Sequence, residues 1–131
     1  MKVKEIMSYP AITEDENASV AKIMKHMELS RIGAVVITEG SKPVGITVDH
    51  DIAAKVMVKD RDPGEMKAKE IMSSPLITVE ADASVEEACG LMATKGLRRL
   101  PAIENGELVG IISIRNVLTG EPVHVKKYLF F

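Results

Sequence analysis

Two stretches of this chain place polar residues where polar residues can do chemistry. Val44-Gly45-Ile46-Thr47-Val48-Asp49-His50-Asp51-Ile52 reads as a short apolar strand, a polar turn and the start of a helix. Val109-Gly110-Ile111-Ile112-Ser113-Ile114-Arg115-Asn116-Val117 has the same form. At such a junction the first helical N–H groups lack intrahelical partners, and the helix dipole is positive there. The junction can hold a phosphate, and a carboxylate one turn in can hold a ribose hydroxyl. The alternative is that these residues only cap a helix. His50 between Asp49 and Asp51 has the composition of a metal cluster. Three consecutive residues at a helix start do not easily converge on one ion, so no metal site is expected. There is no Ser/His/Asp pattern, no Cys/His spacing and no P-loop, so no catalytic residue and no enzyme is expected. His26, among Lys25 and Glu28 on an amphipathic helix, reads as solvated, and His124 has no evident partner in the tail.

These junctions sit inside a duplication. Lys4-Glu5-Ile6-Met7-Ser8-Tyr9-Pro10-Ala11-Ile12-Thr13 returns 65 residues later, from Lys69 to Thr78. Ala18-Ser19-Val20 and Val44-Gly45-Ile46 return at the same offset, with no gap from Lys4 to Ile52. Each copy opens with a short helical turn, Val3 to Met7 in the first, stopped by Pro10. A short extended piece follows at Ile12-Thr13. A helix started by Ser19 then buries Val20, Ile23, Met24 and Met27, the spacing of one helical face. The second copy keeps that face as Val85, Ala88, Cys89 and Met92, and Ser84 with Glu87 makes a capping box. The sulfur-bearing residues Met24, Met27, Cys89 and Met92 are therefore core, not metal or redox groups. Two strands come next: Ala34 to Thr38 with Val44 to Thr47, and Leu100 to Ile103 with Leu108 to Ile112. Asn105-Gly106 is a hairpin signal. A second helix closes each copy, at about Asp49 to Met57 and Ile114 to Leu118. The pattern is β-α-β-β-α twice, an α/β (α+β) chain with repeats at 1–62 and 66–131. Polar Lys59 to Glu65, with Pro63-Gly64, separates them. Each half is marginal for a stable core alone, so the halves are expected to pack on each other. The tail from Thr119 to Phe131 has no counterpart in the first copy and reads as a packed terminus or a dimer contact.

The 131 residues are 46% hydrophobic and 27% charged, the composition of one ordinary globular domain. A net charge of −2 and only 3% aromatics, with no Trp, argue against nucleic-acid binding. A single cysteine cannot form an internal disulfide, which fits a reducing compartment. The opening Met1 to Met7 lacks the apolar run of a signal peptide, and no stretch is long enough to span a membrane. A cytoplasmic protein is the expectation.

The two copies resemble a tandem pair of CBS domains, the cystathionine-β-synthase-type repeats of a Bateman module. The resemblance rests on Ile6-Met7-Ser8, Pro10 to Thr13, the Ala18-Ser19-Val20 helix start, Leu100-Pro101-Ala102-Ile103 and the two Val-Gly-Ile segments, and covers all but about the last dozen residues. It implies two β-α-β-β-α repeats packed in pseudo-twofold symmetry. It implies a homodimer, a regulated effector protein and no chemistry of its own. The implied ligands are AMP, ADP or ATP, sometimes S-adenosylmethionine, held in clefts between the repeats, with no required cofactor. The family pattern is Gly-apolar-x-Thr/Ser-x-x-Asp, with the hydroxyl on phosphate and the Asp on ribose. By that pattern Asp51 and Asn116 take the ribose positions. Val48 stands where the first copy should carry a hydroxyl, and Thr47 should point to the opposite face of the strand. Ser113 keeps the hydroxyl in the second copy, and Asn116 accepts without charge assistance. Arg98 and Arg99 occupy a place where some members carry phosphate-binding basic residues, and Arg115 and His50 are also implied for phosphate. Ala11, Ile12 and Thr13, with Leu76, Ile77 and Thr78, are implied for adenine.

Two functions follow. One is a regulatory, energy-sensing module for adenine nucleotides that signals to a partner protein, motivated by Asp51, Ser113, Arg98 and Arg99. The other is a structural dimerisation module with degenerate nucleotide sites, motivated by Val48 and Asn116.

Overall fold

The computed structural model describes residues 1–127, and the aromatic end of the tail, Tyr128 to Phe131, lies outside the described residues. In chain order the elements are α1 (Val3–Ile6), β1 (Ser8–Tyr9), β2 (Thr13–Asp15), α2 (Val20–Ser30), β3 (Ala34–Glu39), β4 (Lys42–Val48) and α3 (Asp49–Ile52). The second repeat continues with β5 (Val79–Glu80), α4 (Val85–Lys95), β6 (Arg99–Glu104), β7 (Glu107–Ser113), α5 (Ile114–Thr119) and β8 (Val123–His124). The mixed helix-and-strand character read from the sequence is borne out. The second helix of the first repeat differs from expectation. Only Asp49–Ile52 is α-helical, and Ala53–Met57 widens into a π-helical turn in which the Val58 N–H donates to the Ala53 carbonyl.

The chain forms two compact units. One holds Met1–Ala11 with Ile77–Val125, and the other is built on Ile12–Leu76. Each is organised on a parallel strand and a hairpin. In the second, β2 runs parallel to β3 and β3 pairs antiparallel with β4. In the first, β5 runs parallel to β6, β6 pairs antiparallel with β7, and β1 and β8 extend the sheet to five strands. The β6–β7 turn is Asn105-Gly106, both at positive φ (53° and 79°), which matches the strand twist and suits these two residues. Helices α2 and α4 start as read: the Ser19 and Ser84 hydroxyls accept from the N–H groups of Lys22 and Glu87.

Each unit contains the opening segment of the other repeat. In one, α1 buries Val3 and Ile6 and donates from the Val3 and Lys4 amides to the carbonyls of Ala83 and Ala81, at 2.8 and 2.9 Å. In the other, Ala68 and Ile71 are buried, and the amides of Ala68 and Lys69 donate to Ala18 and Glu16, at 2.8 and 3.0 Å. The glycines of the two Val-Gly-Ile segments permit this. A Cβ on Gly45 would lie 2.9 Å from the Ser73 carbonyl oxygen, and one on Gly110 would lie 2.6 Å from that of Ser8. No side chain fits where the backbones approach so closely.

Apolar packing follows the periodicity. One core gathers Val3, Ile6, Val79, Met92, Leu100 and Ile112, with Cys89 packed against it. The other includes Val20, Ile52, Val56, Met66 and Ile71, with Met24 and Met27 alongside. His26 departs from expectation. It is buried, not solvated, and its Nε2 lies 2.6 Å from Glu14 Oε2. The buried stripe of α2 runs through Val20, Ile23 and His26, so position 26 faces inward, and Glu14 on β2 supplies the partner a buried imidazole requires. Leu91 stands at this position in the second copy, and that apolar counterpart was the available signal.

Candidate functional site

The two strand-to-helix junctions fold alike but satisfy their polar groups differently. At the first, the Gly33 carbonyl accepts the Asp49 N–H at 3.0 Å, and β3 places Ala34 opposite Val48. Asp51 then turns inward and is only 5% exposed. Its Oδ2 accepts the Val48 N–H at 2.9 Å, and its Oδ1 pairs with Lys55 Nζ at 3.0 Å. Lys55 also donates to the Ile71 carbonyl at 2.8 Å. A buried carboxylate needs such partners, because an isolated charge away from water is expensive. Asp49 and His50 are exposed while Asp51 is buried, so the three acidic and imidazole groups do not share a direction. Val48 contributes no hydroxyl. Thr47, as expected, faces away from it: the side chain is fully buried, in the place Ile112 holds in the second copy. Among the described residues its Oγ1 has no hydrogen-bond partner.

At the second junction the Arg98 carbonyl accepts the Ile114 N–H at 3.0 Å, and β6 sets Arg99 opposite Ser113. Ser113 and Asn116 form a complete capping box. Ser113 Oγ accepts the Asn116 N–H at 3.2 Å, and Asn116 Oδ1 accepts the Ser113 N–H at 2.9 Å. The Ser113 hydroxyl also donates to Asn116 Oδ1 at 3.0 Å, and Asn116 Nδ2 donates to Ser8 Oγ at 3.2 Å. Asn116 is 1% exposed. The hydroxyl and amide expected to meet a ligand are thus engaged in holding the helix start and β1.

The implied residues divide between the units. Ile12, Thr13, His50, Asp51 and Leu76 lie in one, and Ala11, Ile77, Thr78, Arg98, Arg99, Ser113, Arg115 and Asn116 in the other. The chain crosses between units at Ala11–Ile12 and Leu76–Ile77, inside the two segments implied for adenine. Ile12 is buried and its carbonyl accepts the Val36 N–H, while Thr13 and Thr78 are exposed. Arg98 and Arg115 are exposed and Arg99 is half-buried. The guanidinium groups therefore cluster by register at the Ser113 junction, which already has a hydroxyl. At the Val48 junction, which lacks one, Gly33 and Ala34 stand in their place. Sequence reasoning missed Lys55. The signal was its spacing of four residues from Asp51 on a helix, which brings opposite charges together.

Residues 3–58 and 68–121 each match the CBS domain family. An uncharacterized protein of Methanopyrus kandleri is 40% identical over 124 residues, covering 93% of this chain and 63% of that protein. One of Methanocaldococcus jannaschii is 42% identical over 120 residues, covering 92% of this chain and 62% of its own length. The chain thus spans somewhat under two thirds of these relatives. Among solved structures, the hexameric CBS-CP12 protein from bloom-forming cyanobacteria superposes with a TM-score of 0.86 at 31% identity, covering 92% of this chain and 68% of that one. The CBS domain pair of protein MJ0100, in complex with 5′-methylthioadenosine and S-adenosyl-L-methionine, gives 0.80 at 28% identity, covering 92% and 96%. CBS domain pairs are in general regulatory, ligand-binding and non-catalytic modules. With both copies matched and the fold shared, this chain belongs to the CBS domain family, as a tandem pair.

Proposed function

We propose that the chain is a regulatory module that binds an adenosine-containing ligand (AMP, ADP or ATP) and passes its occupancy to an effector protein. The observation that carries this reading is Asp51. It is a buried carboxylate at a strand-to-helix junction, with one oxygen fixed by the Val48 amide and the other paired with the ammonium of a half-exposed lysine. A carboxylate oxygen has lone-pair capacity beyond one partner, so Oδ1 can accept a ribose hydroxyl as well as Lys55. Arg98, Arg99 and Arg115 supply guanidinium groups suited to phosphate at the other junction. The complex of the MJ0100 pair with two adenosine compounds supports an adenosine ligand here. Self-association fits the exposed apolar side chains of Val58 (80%) and Leu118 (81%), which follow the second helix of the first repeat and lie on that of the second.

The second reading is a structural dimerisation module with degenerate sites. Asn116 favours it, because its amide oxygen and nitrogen are both committed to Ser113 and Ser8. Calorimetric titration of the nucleotide-stripped protein with AMP, ADP, ATP and S-adenosylmethionine separates the two. Saturable binding of at least one ligand is expected from the sensor, and its stoichiometry counts the working junctions. Absence of heat with all four, at several temperatures, favours the scaffold.

A further inference from the structure

The two junctions tether the exchanged opening segments by different chemistry. In the unit built on Ile12–Leu76, a continuous polar path runs from Asp51 Oδ1 through Lys55 Nζ (3.0 Å) to the Ile71 carbonyl (2.8 Å). Two residues on, Ser73 pairs with Ile46: the Ser73 N–H donates to the Ile46 carbonyl at 2.8 Å, and the Ile46 N–H to the Ser73 carbonyl at 3.1 Å. The close approach at Gly45 leaves that pairing no slack. In the other unit Gly120 stands where Lys55 stands, and a neutral amide does the tethering, from Asn116 Nδ2 to Ser8 Oγ.

We propose that Lys55 is a positioning residue that couples occupancy of Asp51 to the placement of the Ile71–Ser73 backbone, whereas the Asn116–Ser8 tether is insensitive to ligand. The coupling rests on the reading of Asp51 as the ribose carboxylate. A hydroxyl donated to Oδ1 shares that oxygen with the ammonium and weakens its hold on Lys55. Lys55, 40% exposed and attached by a flexible stem, then redistributes between Asp51, Ile71 and solvent. The neutral tether runs from the donor Nδ2, so a hydroxyl donated to Asn116 Oδ1 does not compete for the Ser8 bond, and the response is confined to one of two otherwise similar junctions.

Amide hydrogen exchange on the full chain tests this, with AMP as the probe and Lys55→Met, Lys55→Gln and Lys55→Arg as variants. Without AMP, exchange at Ile46 and Ser73 is expected to rise about tenfold in Lys55→Met and Lys55→Gln, with most protection restored in Lys55→Arg and no change at Ser8 and Ile111. Saturating AMP is expected to change protection at Ser73 in the wild type but not in Lys55→Met that still binds it. Equal exchange at Ser73 in wild type and both neutral variants overturns the tether. An AMP response that persists in Lys55→Met overturns the coupling. Failure of the wild type to bind AMP removes ligand control at AMP and counts against the nucleotide reading itself, while the ligand-free comparison still decides whether Lys55 is a tether.

Discussion

Glu14 Oε2 lies 2.6 Å from His26 Nε2, and the two side chains are only 10% and 9% exposed. In the second repeat the same positions are Val79 and Leu91, so one copy solves with a polar pair what the other solves with apolar contact. Removing one partner takes a short hydrogen bond from a buried polar group, whereas replacing both with apolar residues of similar size need not destabilise. Glu14→Val alone is expected to cost about 2 kcal/mol. The double variant with His26→Leu should return to within about 1 kcal/mol of wild type. Urea denaturation of the single and double variants measures this, and an additive loss would show that the pair is not coupled.

Gly110→Ala drives a methyl group to 2.6 Å from the Ser8 carbonyl oxygen, and Gly45→Ala to 2.9 Å from that of Ser73. Both obstacles are backbone, so side-chain rotation cannot relieve them. A loss of about 1–3 kcal/mol is expected for each, larger for Gly110→Ala. By contrast Gly90→Ala, whose Cβ would meet nothing within 4 Å, should be neutral or slightly stabilising. Chemical denaturation midpoints for the three variants test the ranking.

Arg98 and Arg99 stand at the Ser113 junction and are proposed to meet phosphate. The joint replacement Arg98→Ala with Arg99→Ala should weaken ATP more than AMP, and leave adenosine nearly unaffected, because the lost contacts are charge-assisted. Titration with the three ligands checks the gradient. Equal losses across them would remove phosphate from the account of these residues.

Asp82 is held below its ordinary value of 3.8 first by its hydrogen bond with Lys4 and then by the charge of that ammonium, 2.8 Å away. The same contact raises Lys4 above its ordinary 10.5. A depressed carboxylate contributes stability above its unfolded value and loses it as pH falls through the folded value. A raised ammonium contributes below 10.5 and loses its share as pH rises through the folded value. The stability gap between wild type and Asp82→Asn should therefore be widest between these limits and close at both ends. Both groups are exposed and the effect is small, so thermal unfolding at low ionic strength across the pH range is the suitable measurement.

Local patterns carried much of the fold. The period of Val20, Ile23 and Met27 marked α2, Asn105-Gly106 marked a hairpin, and β-branched runs marked β3 and β4. The exchange of opening segments was not legible for a physical reason. Lys4-Glu5-Ile6-Met7-Ser8 and Lys69-Glu70-Ile71-Met72-Ser73 are identical, so nothing in their pattern says which repeat each packs on. Asp51 and Asn116 were legible as the polar residues of the junctions, and both proved to be buried. Their partners were not, because Lys55 and Ser8 look like ordinary surface residues until the Ile71–Ser73 and Met7–Tyr9 backbones are placed beside them.

The most direct test of the sensor reading is calorimetric titration of AMP into wild type and Asp51→Ala, with folding of both verified by circular dichroism. Saturable binding to the wild type is expected, weakened in the variant by about 1–3 kcal/mol, the cost of losing a buried hydrogen bond to a carboxylate. Equal affinity in the two proteins would contradict the placement of ribose on Asp51.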